Sequence, residues 1–180
     1  DSEELKHPRL EVVITVDEEV GMDGARAIDL SMLKGKQMLN LDSEEEGIFL
    51  TSCAGGARIY TYMPYAIAEM KGIMYRISIE GLLGGHSGAE IHKERGNSNI
   101  LMGRLLYELT CQMPVCLEDV KGGLADNAIP RQTVATVVID AEDEEKFRDV
   151  VLAFERDVKA ELATKDSDFG MTVVCLDEEE

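Results

Sequence analysis

Between Ile73 and Leu176 the apolar residues switch repeatedly between a period of two and a helical period, and the order of those switches constrains the fold more than any other feature. Ile73, Tyr75, Ile77 and Ile79 alternate with Met74, Arg76, Ser78 and Glu80, which predicts a strand with one buried face. A helix follows over residues 97–110, with Leu101, Leu105 and Leu109 in i, i+4 steps beside Met102 and Leu106, and with Asn97 or Asn99 as its N-cap. Residues 115–120 and 134–139 read as strands, separated by Gly122-Gly123 and by Asn127-Ala128-Ile129-Pro130. Asp140 stands at the N-cap of a second helix, whose apolar stripe is Phe147, Val150, Val151, Phe154, Val158 and Leu162. Residues 171–176 close the chain as a strand. The order β-α-β-β-α-β predicts an α+β, ferredoxin-like domain, one antiparallel sheet with two helices on one face.

The first third of the chain reads differently. Residues 11–16 and 38–41 are apolar runs that end in Asp17-Glu18-Glu19 and in Asp42-Ser43-Glu44-Glu45-Glu46. Between them residues 21–34 place Met22, Ala25, Ile28 and Leu33 at helical spacing. Strand, helix, strand is the simplest reading, a βαβ unit with parallel pairing. One such unit cannot cover both faces of its own sheet, so residues 1–65 are expected to be a slice of a larger α/β domain and residues 66–180 a second domain. An opening on Asp1 rather than Met, and an acidic end at Asp177-Glu178-Glu179-Glu180, fit a piece of a longer protein.

Charge excludes some functions. Thirty-six acidic residues against 18 basic ones leave a net charge of −18, which repels nucleic acid and anionic membrane surfaces. No run reaches the ~20 apolar residues that a membrane-spanning helix needs, and the first residues lack a signal peptide's pattern, so a soluble, cytoplasmic protein is expected. Cys53, Cys111, Cys116 and Cys175 form no CxxC pair, which predicts reduced thiols. Cys111 and Cys116 read as buried small hydrophobes rather than half a zinc site.

Three places could carry chemistry. Glu18 and Glu19 stand at the C-terminal end of the first predicted strand, the edge where α/β sheets gather ligands, and Gly21 permits a bend that turns both to one side. Read alone, they are a solvated strand end. Asp42 ends the next predicted strand, however, and parallel strands would bring the three carboxylates together, where only a cation would relieve their repulsion. The second place is Gly84-Gly85-His86-Ser87-Gly88, where an imidazole in a glycine loop is either structural or able to donate a hydrogen bond to a developing oxyanion. His92 lies too far along to complete a metal site with it. The third is Asn127-Ala128-Ile129-Pro130, which on its own reads as a turn.

Taken together, these segments resemble the zinc-dependent exopeptidase family of carboxypeptidases, aminoacylases and dipeptidases, and within it the bacterial aminoacyl-histidine dipeptidases. The resemblance is carried by Thr15-Val16-Asp17-Glu18-Glu19-Val20-Gly21-Met22, Leu39-Asn40-Leu41-Asp42-Ser43-Glu44, Cys53-Ala54-Gly55-Gly56, the stretch from Gly81 to His92 around Gly84-Gly85-His86-Ser87-Gly88, Arg95-Gly96-Asn97-Ser98-Asn99 and Asn127-Ala128-Ile129-Pro130. It implies that Glu18 is the general base on a metal-bound water, that Glu19 and Asp42 are ligands of two zinc ions (cobalt or manganese being alternatives), and that the reaction is hydrolysis of an Xaa-His-type dipeptide, carnosine-like substrates included. It implies further that residues 66–180 form a lid that makes a homodimer, that His86 stabilises the tetrahedral intermediate across the dimer interface, and that Asn127 lies near bound substrate.

The family's upstream His-x-Asp segment, its bridging Asp and its late histidine have no counterpart among His7, His86 and His92. The chain by itself is therefore expected to hold little or no zinc and to turn over no substrate. The competing reading is a non-catalytic ferredoxin-like module that dimerises or binds a small ligand, its acidic strand ends merely exposed. The ordered set of blocks separates the two, because a binding module needs no metal ligands on a different sheet.

Overall fold

The computed structural model describes residues 5–42, 45–52, 57 and 59–177. The chain divides into two units, residues 1–61 and 62–180.

In the second unit the elements follow the predicted order. Strand β1 (Ile73–Glu80) leads to helix α2 (Ser98–Gln112), and strands β3 (Val115–Gly122) and β5 (Thr133–Ile139) lead to helix α3 (Glu144–Leu162) and strand β6 (Gly170–Cys175). The sheet runs β3-β5-β1-β6 with every neighbour antiparallel. The register sets Tyr75 opposite Val137, Ile77 opposite Ala135 and Ile79 opposite Thr133, so all six of these residues on one face of the central pair are buried. Against that face α2 lays Leu101, Met102, Leu105 and Leu109, and α3 lays Phe147, Val151, Phe154, Val158 and Leu162. The helical and alternating periods met in the sequence are thus the two sides of one core.

Local chemistry sets the ends of the helices. The Asn97 carboxamide oxygen accepts from the main-chain N–H groups of Asn99 and Ile100, which caps α2. Asp140 caps a short 3₁₀ turn (Ala141–Asp143) by accepting from Glu142 N–H, and α3 begins one turn later than the sequence suggests. A bulge between Leu117 and Asp119 bends β3 at the sheet's edge.

One element pair has no period for a sequence to show. Strands β2 (Gly85–His86) and β4 (Ala128–Ile129) make a two-residue antiparallel ribbon, with Gly85 opposite Ile129 and His86 opposite Ala128.

The first unit corrects the βαβ expectation. Among the described residues, 11–16 and 38–41 form no strand, and the helix expected over 21–34 is reduced to α1 (Asp23–Ala27). Val12, Ile14, Leu39 and Leu41 are all more than four-fifths exposed. A parallel strand exists only by pairing with neighbours and by having both faces covered, and nothing among the described residues of this unit supplies either. The sharp bend foreseen at Gly21 is present: Met22 N–H donates to Asp17 O over 2.6 Å, and Asp17, Gly21 and Met22 all have positive φ. Cys111 is exposed, not buried, because it lies off the face of α2 that carries Leu105 and Leu109; Cys116 and Cys175 are half-buried free thiols, and Cys53 lies outside the described residues. Among the described residues no helix is long and apolar enough to cross a membrane.

Candidate functional site

Glu18 and Glu19 lie in the exposed turn between Asp17 and Met22, and Asp42 is exposed beyond the unpaired run that precedes it. Among the described residues no group of three or more His, Cys, Asp or Glu side chains could hold a metal ion. These carboxylates therefore do not by themselves fit a zinc ion. The physical reason is the missing pairing: without parallel strands, the chain ends that carry Glu18, Glu19 and Asp42 are not brought side by side.

The structure does bring His86 and Asn127 together. The β2–β4 ribbon pairs His86 with Ala128, Asn127 lies in the turn just before β4, and Ser87 N–H donates to Asn127 O over 2.8 Å. His86 is exposed and Asn127 half-buried. The His86 ring is oriented by its own loop: Nδ1 accepts from the main-chain N–H of Gly88 at 3.0 Å and of Ala89 at 3.1 Å. Two donors aimed at Nδ1 require a lone pair there, so the neutral ring carries its proton on Nε2. A Cβ at residue 88 would come within 3.3 Å of the ring, so glycine there leaves space for it.

The loop is held from beneath by ions. Glu90 Oε2 accepts from His86 N–H at 2.9 Å, Glu90 Oε1 pairs with Lys93 at 2.5 Å and with Arg95 at 3.4 Å, and Arg95 also donates to Gly84 O. Gly85 is required by this packing: its φ is +136°, and a Cβ would stand 2.5 Å from Glu90 Oε2 and 2.6 Å from an Arg95 nitrogen. At the neck of the loop the buried Asp166 carboxylate accepts from Leu83 N–H through one oxygen and from Gly96 N–H through the other, both at 2.6 Å. Neither Glu90 nor Asp166 stood out in the sequence. Glu90 carries one faint signal, its position one helical turn beyond His86, whereas Asp166 sits in the polar run Thr164-Lys165-Asp166-Ser167-Asp168.

An open cleft of about 700 Å³ adjoins the ribbon, bounded by Ser87, Arg95, Asn97, Gly123, Asp126 and Pro130. The geometry of the site is thus a loop-mounted imidazole, with no partner on Nε2 among the described residues, beside Asn127 and a cleft, an arrangement able to donate one hydrogen bond to an incoming oxygen.

The ions under the loop make it sensitive to acid. Lys93, then the His86 N–H and the Arg95 charge, hold the Glu90 carboxyl at about 2, against an ordinary 4.5. A carboxyl whose value is depressed in the folded state supports that state while ionised, so the contribution is whole above about pH 4.5 and fades as the pH falls towards 2. The His86 amide resonance, whose N–H donates to Glu90, is expected to move with a midpoint near 2, and Lys93→Ala is expected to raise that midpoint. A midpoint unchanged by Lys93→Ala, followed by NMR titration, would remove Lys93 as the main cause.

The description of the M20 peptidase dimerisation domain matches residues 77–166, which include His86, Asn127 and Asp166. This chain belongs to the M20 peptidase family. It is 34% identical over 171 residues to the cytosol non-specific dipeptidase of Escherichia coli (strain K12), a match that covers 94% of this chain and 35% of that protein. The crystal structure of aminoacylhistidine dipeptidase from Vibrio alginolyticus superimposes with a TM-score of 0.67 at 30% identity, over 90% of this chain and 34% of that one. The M20 chain described here therefore spans about a third of the length of the relatives it matches.

Proposed function

We propose that this chain is the dimerising, histidine-bearing part of a metal-dependent dipeptidase that hydrolyses the peptide bond of Xaa-His-type dipeptides. The observation that carries the reading is the His86 loop, whose Nδ1 is committed to two main-chain donors and whose Nε2–H is left for a substrate oxygen. In this reading Nε2–H donates to the carbonyl oxygen as negative charge develops on it, and Asn127 orients the substrate from the turn before β4. Residues 1–65 belong to the catalytic domain of the whole protein, with Glu18 as general base and Glu19 and Asp42 as metal ligands once the rest of that domain supplies strand neighbours and imidazoles. Residues 66–180 are the lid, which pairs with its counterpart in a homodimer. Kinship to a dipeptidase named for the cytosol supports a cytoplasmic setting.

The test is hydrolysis of a dipeptide panel, Xaa-His included, by the full-length protein that contains this chain, before and after chelation and zinc restoration. Hydrolysis lost on chelation and restored by zinc is the expected result, with no turnover by the 180-residue chain alone. Light scattering should meanwhile give a dimer mass for the chain at high concentration. The failure of Glu18, Glu19 and Asp42 to gather favours a second reading for the isolated chain, a non-catalytic dimerisation or small-ligand-binding module. A full-length protein without metal-dependent hydrolysis would make that second reading the better one.

A further inference from the structure

We propose that Asp166 is a positioning residue for His86, acting as a two-point clamp on the neck of the loop that carries the imidazole. The inference rests on the reading of His86 as the hydrogen-bond donor to substrate. Segment 83–96 leaves the sheet after β1 and returns at the N-terminus of α2, and its two ends meet at one carboxylate: Leu83 N–H on Oδ1 and Gly96 N–H on Oδ2, each at 2.6 Å. The side chain belongs to neither end. It comes from the turn after α3, where Asp166 N–H donates to Leu162 O over 2.9 Å and Phe169 N–H donates to Asp166 O over 3.1 Å. With Phe169 at 3% exposure and Asp166 at 1%, the turn is anchored in the core.

The chemistry of the clamp selects a carboxylate. Two inward-facing N–H donors need two acceptors, and aspartate offers two on one short arm, whereas an asparagine would turn its amide nitrogen towards one of the donors. Gly96 brings the main chain near enough, since a Cβ there would meet Leu82 at 2.9 Å and Leu162 at 3.1 Å. A loop whose ends are tied in this way is compact and moves as a unit on its base, so fixing the neck fixes the origin from which Gly85, His86 and Glu90 are placed. The Lys165 ammonium, next in sequence, reinforces the same junction by pairing with Glu94 at 2.8 Å. Donors that must meet a transition-state oxygen lose most of their effect when displaced by a fraction of a hydrogen bond's length, which is how a residue remote from substrate can control turnover.

The test has two arms. In the 180-residue chain, Asp166→Asn is expected to raise the hydrogen-exchange rates of the Leu83 or Gly96 amide at least tenfold, with the amides of Tyr75 and Val137 in the sheet unchanged. In the full-length protein the same variant is expected to lower kcat about tenfold with KM within twofold of the parent, and Asp166→Asn combined with His86→Ala is expected to be no slower than His86→Ala alone. Amide exchange unaltered by the substitution would overturn the clamp. Freed amides with undiminished kcat, while His86→Ala is slow, would overturn the positioning role and leave the dipeptidase reading intact. A fully active His86→Ala would overturn both the donor reading and the positioning built on it. Should Asp166→Asn not fold, Asp166→Ser, which is smaller and keeps one acceptor, is carried through the same measurements and judged by the same results.

Discussion

Replacing His86 with alanine in the full-length protein is expected to lower kcat on dipeptides by about 10²–10³-fold, with KM changed little, because the lost hydrogen bond is made to charge that exists in the transition state and hardly at all in the bound substrate. The size of the effect follows from removing one preorganised donor, equivalent to roughly 3–4 kcal/mol. Preorganisation is visible in the loop: Gly88 and Ala89 N–H groups fix the ring through Nδ1, and Gly85 lets Glu90 and Arg95 close beneath it. The substitution removes an exposed side chain, so thermal unfolding should stay within a few degrees of the parent. The tautomer can be checked without substrate, since ¹⁵N NMR of the 180-residue chain should show the pyrrole-type nitrogen at Nε2 of His86 at neutral pH. An undiminished kcat for His86→Ala would mean that the loop serves the lid's architecture rather than its chemistry.

What could be read from the sequence divides along physical lines. The order and type of the elements in β1, α2, β3, β5, α3 and β6 were legible, because each buries one face and writes its period into its own residues; Ile77 and Ile79, or Phe147, Val151 and Phe154, declare their neighbours by spacing. The βαβ reading of residues 11–41 failed because a buried parallel strand is defined by its partners, and apolar runs such as 11–16 and 38–41 carry no record of whether partners are present. The β2–β4 ribbon was invisible since two residues cannot show a period. At the site, His86 and Asn127 could be named, but not the ions and carboxylate that hold the His86 loop. Asp166 looks like any polar residue after a helix until the chain brings Leu83 and Gly96 to it across the fold. Long-range main-chain to side-chain bonds of this kind follow from tertiary structure and leave no local pattern.

Phe147→Ala is expected to destabilise the second unit by about 3–5 kcal/mol, as truncation of a fully buried aromatic ring does. Its side chain is fully buried, and its ring lies 4.8 Å from that of Tyr75 at a 33° tilt, where α3 meets the middle of the sheet. Tyr75 shows how closed the position is. Burial first, and then its hydrogen bond to Glu144 at 2.7 Å, raise the phenol to about 12, with the Arg148 guanidinium opposing the rise. Deleting the Phe147 ring leaves a cavity against Tyr75 that helices held in place by the other core residues cannot collapse to fill. Because the chain contains no tryptophan, the measurement is urea unfolding by far-ultraviolet circular dichroism, with Ile100→Ala at a 62% exposed position of α2 as the comparison. The exposed change should stay within roughly 0.5 kcal/mol of the parent. Since Asp166 is hung from the turn that follows α3, the Phe147 variant should also free the Leu83 and Gly96 amides by global opening, and their exchange rates should rise together with those of the sheet. Asp166→Asn frees the loop alone, so the two variants separate local release of the His86 loop from loss of the scaffold beneath it. A loss for Phe147→Ala no larger than that for Ile100→Ala would show that α3 does not depend on this contact for its place on the sheet.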